Sequence, residues 1–386
     1  MPYKMVVMVG TRPEVIKMAP VVRELERRRG RFEPLLVTTA QHRDLLDQTL
    51  ASFELDTTAD LALMTRDQRL PTFTGRAVPA VAALLDELAP DAVLIHGDTT
   101  TAFATALAAF YKQLLIGHVE AGLRSNQRES PFPEEMNRRL IGNLAELHFA
   151  PTTRARDNLL REGVDGDAIH VTGNTVVDAM LEFRPDSVFD DVQLEALTAE
   201  GRLLVVTAHR RETLGPPLTA ICQALREIVR RFTDVRIVFP VHPNPRVRDV
   251  VCRELNGNSA IALIEPVGYA DFLRLVQRSC LILTDSGGLQ EEAPSLGKPV
   301  LVLRETTERP ELLEAGGGLL VGTDPRRIVR ATARLLQSAA AYERMSAAPN
   351  PFGDGCASAR IVDVLERRFG AGAQSAASDP IVLAAS

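Results

Sequence analysis

Several segments of the chain set carboxylates or cations beside turn residues directly after short apolar runs. Gly10-Thr11-Arg12-Pro13-Glu14 follows the run Met5 to Val9, and Lys17 lies one turn further on, so a guanidinium and an ammonium share one end of an element. Cations beside a helix N-terminus suit a phosphate, although the spacing is not that of a P-loop and an ordinary glycine turn with surface charges fits the same residues. His96-Gly97-Asp98-Thr99-Thr100-Thr101 and His118-Val119-Glu120-Ala121-Gly122-Leu123-Arg124 each put an acid at the end of such a run. Asp98 is also where a helix cap belongs. Strand alternation sets His96 with Asp98, and His118 with Glu120, on a common side, which fits either metal ligation or carboxylates held by hydrogen bonds. With no tighter histidine cluster, no metal is expected. Pro133-Glu134-Glu135-Met136-Asn137-Arg138 opens a helix whose dipole favours acids in the first turn, function or not.

The later segments are cationic. His209-Arg210-Arg211-Glu212 and Val241-His242-Pro243-Asn244 each follow an apolar run. The richest stretch is Asp285-Ser286-Gly287-Gly288-Leu289-Gln290-Glu291-Glu292. Glycines there let phosphate oxygens approach backbone N–H groups, Ser286 adds a hydroxyl, and Glu292 is placed to accept from ribose hydroxyls. A plain strand-to-helix turn is the alternative.

The elements that must hold these residues alternate. Strands are expected at Met5–Val9, Phe32–Thr38, Ala92–His96, Leu115–Val119 and Ile169–Val171, with helices at 13–29, 41–50, 73–88 and 100–111. The pattern restarts with strands at Leu203–Thr207, Val235–Val241, Ile261–Ile264, Leu281–Thr284 and Val300–Leu303, again separated by helices. Short all-apolar strands between helices mean parallel sheets covered on both faces, which bind ligands beyond the carboxyl ends of the strands. The expectation is an α/β chain of two Rossmann-like, doubly wound domains. The first covers 1–171, joined by a C-terminal helix at about 358–369; the second covers 172–357; residues 370–386, rich in Ala, Gly and Ser, read as a mobile tail.

Composition narrows the function classes. The chain has 386 residues, 45% of them hydrophobic and 24% charged, which fits two domains with sizeable cores. Its 44 basic residues are outnumbered by 50 acidic ones, a net charge of -6, so no broad basic surface for nucleic acid is expected. Only Lys4, Lys17, Lys112 and Lys298 are lysines, and Lys17 is the one inside a motif. The cysteines Cys222, Cys252, Cys280 and Cys356 include no C-x-x-C pair and read as buried thiols. No apolar run approaches the length of a membrane span or a signal-peptide core, so a cytoplasmic protein without a membrane partner is expected.

Taken together, Gly10-Thr-Arg-Pro-Glu-x-Ile-Lys17, Thr39-Ala-Gln-His42, His96-Gly-Asp-Thr-Thr-Thr101, Gly117-His-Val-Glu-Ala-Gly-Leu-Arg124, Pro133-Glu-Glu135, His209-Arg-Arg-Glu212, Thr284-Asp-Ser-Gly-Gly288, Gln290-Glu-Glu-Ala-Pro294, Thr306-Thr-Glu-Arg-Pro-Glu311 and Asn350-Pro-Phe-Gly-Asp-Gly355 resemble the non-hydrolysing UDP-N-acetylglucosamine 2-epimerases. The resemblance runs in order from about residue 4 to 368. It implies a glycosyltransferase B type fold with its active site in the interdomain cleft, and reversible conversion of UDP-GlcNAc to UDP-ManNAc without a cofactor by a homodimer. By position it implies Asp98, Glu120, Glu134 and His209 as catalytic residues. Arg12, Lys17, Arg138, Phe272, Ser286, Gly287, Gly288, Glu292 and Arg309, with His209 again, would bind the nucleotide sugar. Two departures stand out. Val267 replaces the Gln or Glu of a motif that borders the uracil in relatives, leaving Phe272 for the base. Some relatives also carry a regulatory substrate site; its candidates here are Gln41, His42, Arg210 and His242, but Asp67 stands near the position of an expected arginine.

Overall fold

The computed structural model describes residues 1–39, 43–63, 68–182, 189 and 192–375. Gln41, His42 and Asp67 therefore lie outside the described residues, as does 376–386 of the expected tail. The chain forms two compact units, one of Met1–Asp178 with Gly355–Ser386 and one of Ala179–Asp354.

Unit 1 has strands β1 (Tyr3–Val9), β2 (Phe32–Thr38), β3 (Ala59–Asp60), β4 (Ala92–His96), β5 (Leu115–Val119), β6 (Leu147–Ala150) and β7 (Ile169–Val171). They pair in parallel in the order β3-β2-β1-β4-β5-β6-β7, so the order reverses between β1 and β4. Alternation along β1 explains the two-faced core. Met5, Val7 and Val9 pack with Met18, Val22 and Leu25 and with Ile361 and Leu365, whereas Val6 and Met8 pack with Val81, Leu85 and Ala106 on the other face. The first face is covered by helices Arg12–Arg27 and Ala357–Ser375, the second by Leu70–Leu88 and Thr100–Tyr111.

The last helix belongs to unit 1 because Asp178 caps it. The buried carboxylate accepts from the Ala357 N–H at 3.1 Å, and from the Ser358 N–H at 2.7 Å and hydroxyl at 2.6 Å. This helix continues to Ser375, past the residue 370 at which the sequence reading begins a tail.

Unit 2 repeats the plan with β8 (Arg202–Thr207), β9 (Val235–Pro240), β10 (Ile261–Ile264), β11 (Leu281–Thr284), β12 (Val300–Val302) and β13 (Gly318–Leu320). Their order is β10-β9-β8-β11-β12-β13, all parallel, with the reversal between β8 and β11. Leu204, Val206, Phe239 and Leu283 meet Ile221, Leu225 and Ile228 of helix Pro216–Arg231 and Ile328 of helix Pro325–Gln337. The thiols differ from the expectation of burial. Cys222 is buried beneath this sheet, Cys252 and Cys280 are half-buried, and Cys356 is exposed. Among the described residues no helix is long and apolar enough to cross a membrane.

Candidate active site

In unit 1 the chemical residues leave the sheet on both sides of the strand reversal, where open α/β sheets bind ligands. The turn after β1 is pulled tight by Glu14, which is 1% exposed and accepts from the Gly10 N–H at 3.0 Å and the Thr11 hydroxyl at 2.8 Å. Its other oxygen accepts from the Thr99 hydroxyl at 2.7 Å, which ties this turn to the one after β4. Burial raises the Glu14 pKa, against hydrogen bonds from Thr99, Thr11 and Gly10 and the nearby His96, which favour the charge. Gly10 is required here by space: a Cβ would lie 2.4 Å from Thr101 Oγ1 and 2.7 Å from Thr39 Oγ1.

The strand alternation used in the sequence reading stops short of the acids. β4 ends at His96 and β5 at Val119, and Gly97 and Glu120 then take left-handed φ values of 67° and 62°. His118 consequently turns away from Glu120 and bonds the Gly97 carbonyl through Nε2 at 2.8 Å. Burial lowers its pKa to about 3 despite that hydrogen bond, so it stays neutral and its role is structural. It is His96 that approaches Glu120, at 3.7 Å.

Asp98 and Glu120 each have a cation. Glu120 is ion-paired with Lys17 and accepts from Asn174 Nδ2 at 2.7 Å, so Lys17, which the sequence reading assigns to the diphosphate, engages a carboxylate here. Asp98 pairs with Arg138 at 2.6 Å, while Asn137 Nδ2 holds the Asp98 carbonyl at 2.8 Å. Arg138 is in turn fixed by the fully buried Glu135 at 3.2 Å. Glu135 also accepts from the N–H groups of Ser125 at 2.9 Å and Asn126 at 3.2 Å. Burial works to raise its pKa, but Ser125 and Arg138 bring it below the ordinary carboxylate range. Glu134 opens the helix Glu134–Leu144, and its Oε2 is buried with no hydrogen-bond partner among the described residues. Arg12 is half-buried at the N-terminus of helix Arg12–Arg27. No group of three or more His, Cys, Asp or Glu among the described residues is arranged to hold a metal ion.

In unit 2 the turns after β8 and β11 meet in the same way. Asp285, fully buried, accepts through Oδ2 from the N–H groups of His209 at 2.7 Å and Arg210 at 2.8 Å and from the Thr213 hydroxyl at 2.7 Å. The His209 ring stacks on His242 with centroids 5.3 Å apart and planes 9° apart. Ser286 precedes helix Gly287–Glu292, and a Cβ on Gly287 would lie 3.6 Å from Arg210 Nη2 and 3.7 Å from the Arg309 guanidinium. Two guanidiniums thus flank a backbone position kept bare. Arg309 is anchored by buried Glu291 at 2.5 Å, while the half-buried Gly288 has open space around its Cα. Arg304 grips Glu308 through both oxygens at 2.7 and 3.1 Å and Glu212 at 2.8 Å. Burial works to raise the Glu308 pKa, but Arg304 brings it down to about 2. Glu292 is buried beside the Tyr269 hydroxyl at 3.3 Å, and Phe272 is half-buried on the same helix as Tyr269.

Glu14, Glu135, Asn174, Asp285 and Arg304 have no role that the sequence alone assigns. All but Asn174 and Arg304 sit inside the motifs given above, yet only the fold shows which carboxylates face inward.

A family model for UDP-N-acetylglucosamine 2-epimerase matches residues 23–366. The chain belongs to the UDP-N-acetylglucosamine 2-epimerase family. It is 50% identical over 371 residues to the UDP-N-acetylglucosamine 2-epimerase of Salmonella typhimurium, covering 94% of this chain and 98% of that one. Among solved structures, S. aureus MnaA with UDP aligns at a TM-score of 0.89 and 44% identity, covering 95% and 97% of the two chains. The Neisseria meningitidis UDP-GlcNAc 2-epimerase bound to UDP-GlcNAc aligns at 0.89 and 43%, covering 94% and 100%. The fold class of this epimerase-family chain is accordingly that of paired Rossmann-like units of the glycosyltransferase B type.

Proposed function

We propose that the chain interconverts UDP-GlcNAc and UDP-ManNAc without hydrolysis, by eliminating UDP to 2-acetamidoglucal and adding it back. The observation that carries this reading is the pair of acids at the ends of adjacent strands, Asp98 after β4 and Glu120 after β5, each held by its own cation. The C2 proton of the sugar is not beside a carbonyl, so removing it first is too difficult for a carboxylate. When the C1–O bond breaks, its electron pair leaves with UDP and the cationic centre at C1 acidifies C2. The C2–H pair then becomes the C1–C2 double bond while a carboxylate takes the proton. Reversal with protonation from the other face gives the epimer, so acid–base groups are needed on both sides of the ring. Asp98, Glu120 and Glu134 supply them, with Arg138 and with Lys17 and Asn174 fixing the orientation of the first two.

Unit 2 is the nucleotide holder in this proposal. Arg309, His209, Ser286 and the N–H groups at Gly287 and Gly288, joined by Arg12, take the diphosphate and stabilise its growing charge in the transition state. Arg210, first a candidate for a regulatory site, lies at Gly287 and is assigned to the same anion. Glu292 takes the ribose and Phe272 the uracil. The protein is proposed to work in the cytoplasm as a homodimer, which sedimentation of the purified protein checks. Product analysis tests the reaction itself: UDP-GlcNAc should give UDP-ManNAc at equilibrium, whereas accumulation of UDP with free ManNAc would assign a hydrolysing enzyme.

A further inference from the structure

Asp285 makes more contacts than a turn requires. Its Oδ2 is saturated by His209 N–H, Arg210 N–H and the Thr213 hydroxyl, at 2.7, 2.8 and 2.7 Å. Its Oδ1 is buried without a hydrogen-bond partner among the described residues and lies 3.5 Å from Nδ1 of His209. A buried carboxylate oxygen without a partner is costly, and the N–H that would satisfy it is that of the imidazole. His242 lies against the face of the ring, stacked at 5.3 Å with planes 9° apart, and its own Nδ1 accepts from the Asn244 N–H at 3.1 Å. The titratable groups facing His209 are Arg210 and Glu212 on its own turn, Asp285 after β11 and His242 after β9. Burial, Arg210 and His242 lower its pKa; Asp285 is the largest influence in the other direction.

We propose that Asp285 is the positioning residue of His209, keeping the ring proton on Nδ1 so that Nε2 is the atom offered to the anionic ligand. This rests on the reading of His209 as a diphosphate group. In the ligand-free protein the ring is neutral, with its lone pair on Nε2. As the diphosphate arrives, Nε2 takes a proton from solvent and donates it as a hydrogen bond, and Asp285 stabilises the imidazolium so formed. An asparagine at 285 can still accept from the backbone N–H groups, but its amide turns an N–H toward Nδ1 and favours the other tautomer.

The test begins without substrate. Nitrogen NMR of the histidine-labelled full chain at about pH 7.5 should show His209 protonated on Nδ1, and Asp285→Asn should move the proton to Nε2; an Nε2-protonated ring in the unsubstituted protein overturns the proposal even if the variant fails to fold. Kinetics then separate positioning from mere structure. Asp285→Asn should lower kcat about 100-fold with KM changed only a few-fold, and should cost almost nothing more when added to His209→Asn. An equal loss in the His209→Asn background would make Asp285 structural and overturn the proposal. If the tautomer is as expected but no variant or parent epimerises UDP-GlcNAc, it is the proposed reaction that fails, not the Asp285–His209 pairing.

Discussion

Both sheets deliver their candidate residues from strand ends at or next to the reversal of order, but the two units load them oppositely. After β4 and β5 unit 1 presents Asp98 and Glu120, with Arg138 and Lys17 spent on holding them. After β8 unit 2 presents His209 and Arg210, to which Arg309 adds a third cationic group, and the buried acids Asp285, after β11, and Glu291 are the holders. In the proposed reading, one topology builds an acid–base site and an anion site by exchanging which charge is buried as support and which is left to meet a ligand. The overall charge of -6 is compatible with the proposed anionic substrate because Arg210 and Arg309 gather at Gly287.

The largest effect should come from removing a working acid. Asp98→Asn should lower kcat at least about 1,000-fold. UDP affinity by calorimetry should change only a few-fold, since the nucleotide is assigned to unit 2; loss of UDP binding would erase the division of labour. Arg309→Ala should do the reverse, abolishing measurable UDP binding while removing the ion pair to the buried Glu291. That change should also lower the denaturant midpoint of unit 2, since one partner of a buried ion pair is lost.

Acid should separate the units next. Burial lowers the pKa of His118 to about 3 and that of His148 to about 4. Between those values and the unfolded 6.5 the native state binds fewer protons than the unfolded chain, so stability falls as pH falls through this window. Each histidine contributes about 1.4 kcal/mol per pH unit there. Unit 2 has the depressed His209 and also Glu308, whose contribution is lost only as pH falls from about 4.5 toward 2. Hydrogen exchange at about pH 5 should therefore show unit 1 opening first, and His118→Gln should reduce the difference. The smallest effect is steric: Gly10→Ala places a methyl 2.4 Å from Thr101 Oγ1 and should cost about 1 to 3 kcal/mol, seen as a lower Tm.

How far the sequence reaches is clearest at particular residues. Helix Thr100–Tyr111 and strands Ile261–Ile264 and Leu281–Thr284 have the bounds expected from apolar runs, but the helix is capped by Thr99, whose hydroxyl accepts from the Ala102 N–H at 3.0 Å, and not by Asp98, which pairs with Arg138 instead. The strands Ala59–Asp60, Leu147–Ala150 and Gly318–Leu320 escape the reading. They are too short, or carry His148 or Gly318, to show a period of their own and are recruited by a neighbouring strand. At the site, residue types and turns were legible, whereas partners were not. Nothing local says that Lys17 reaches Glu120, or that His96 rather than His118 lies beside it, because left-handed Gly97 and Glu120 break the alternation on which that inference depended.

If these acids move a proton at C2 while the cleaved UDP stays bound, solvent hydrogen must enter at C2. In NMR of UDP-GlcNAc incubated with the purified protein in deuterated water, UDP-ManNAc and recovered UDP-GlcNAc should both carry deuterium at C2, with no net release of UDP; epimerised product retaining protium at C2 would rule out this proton transfer.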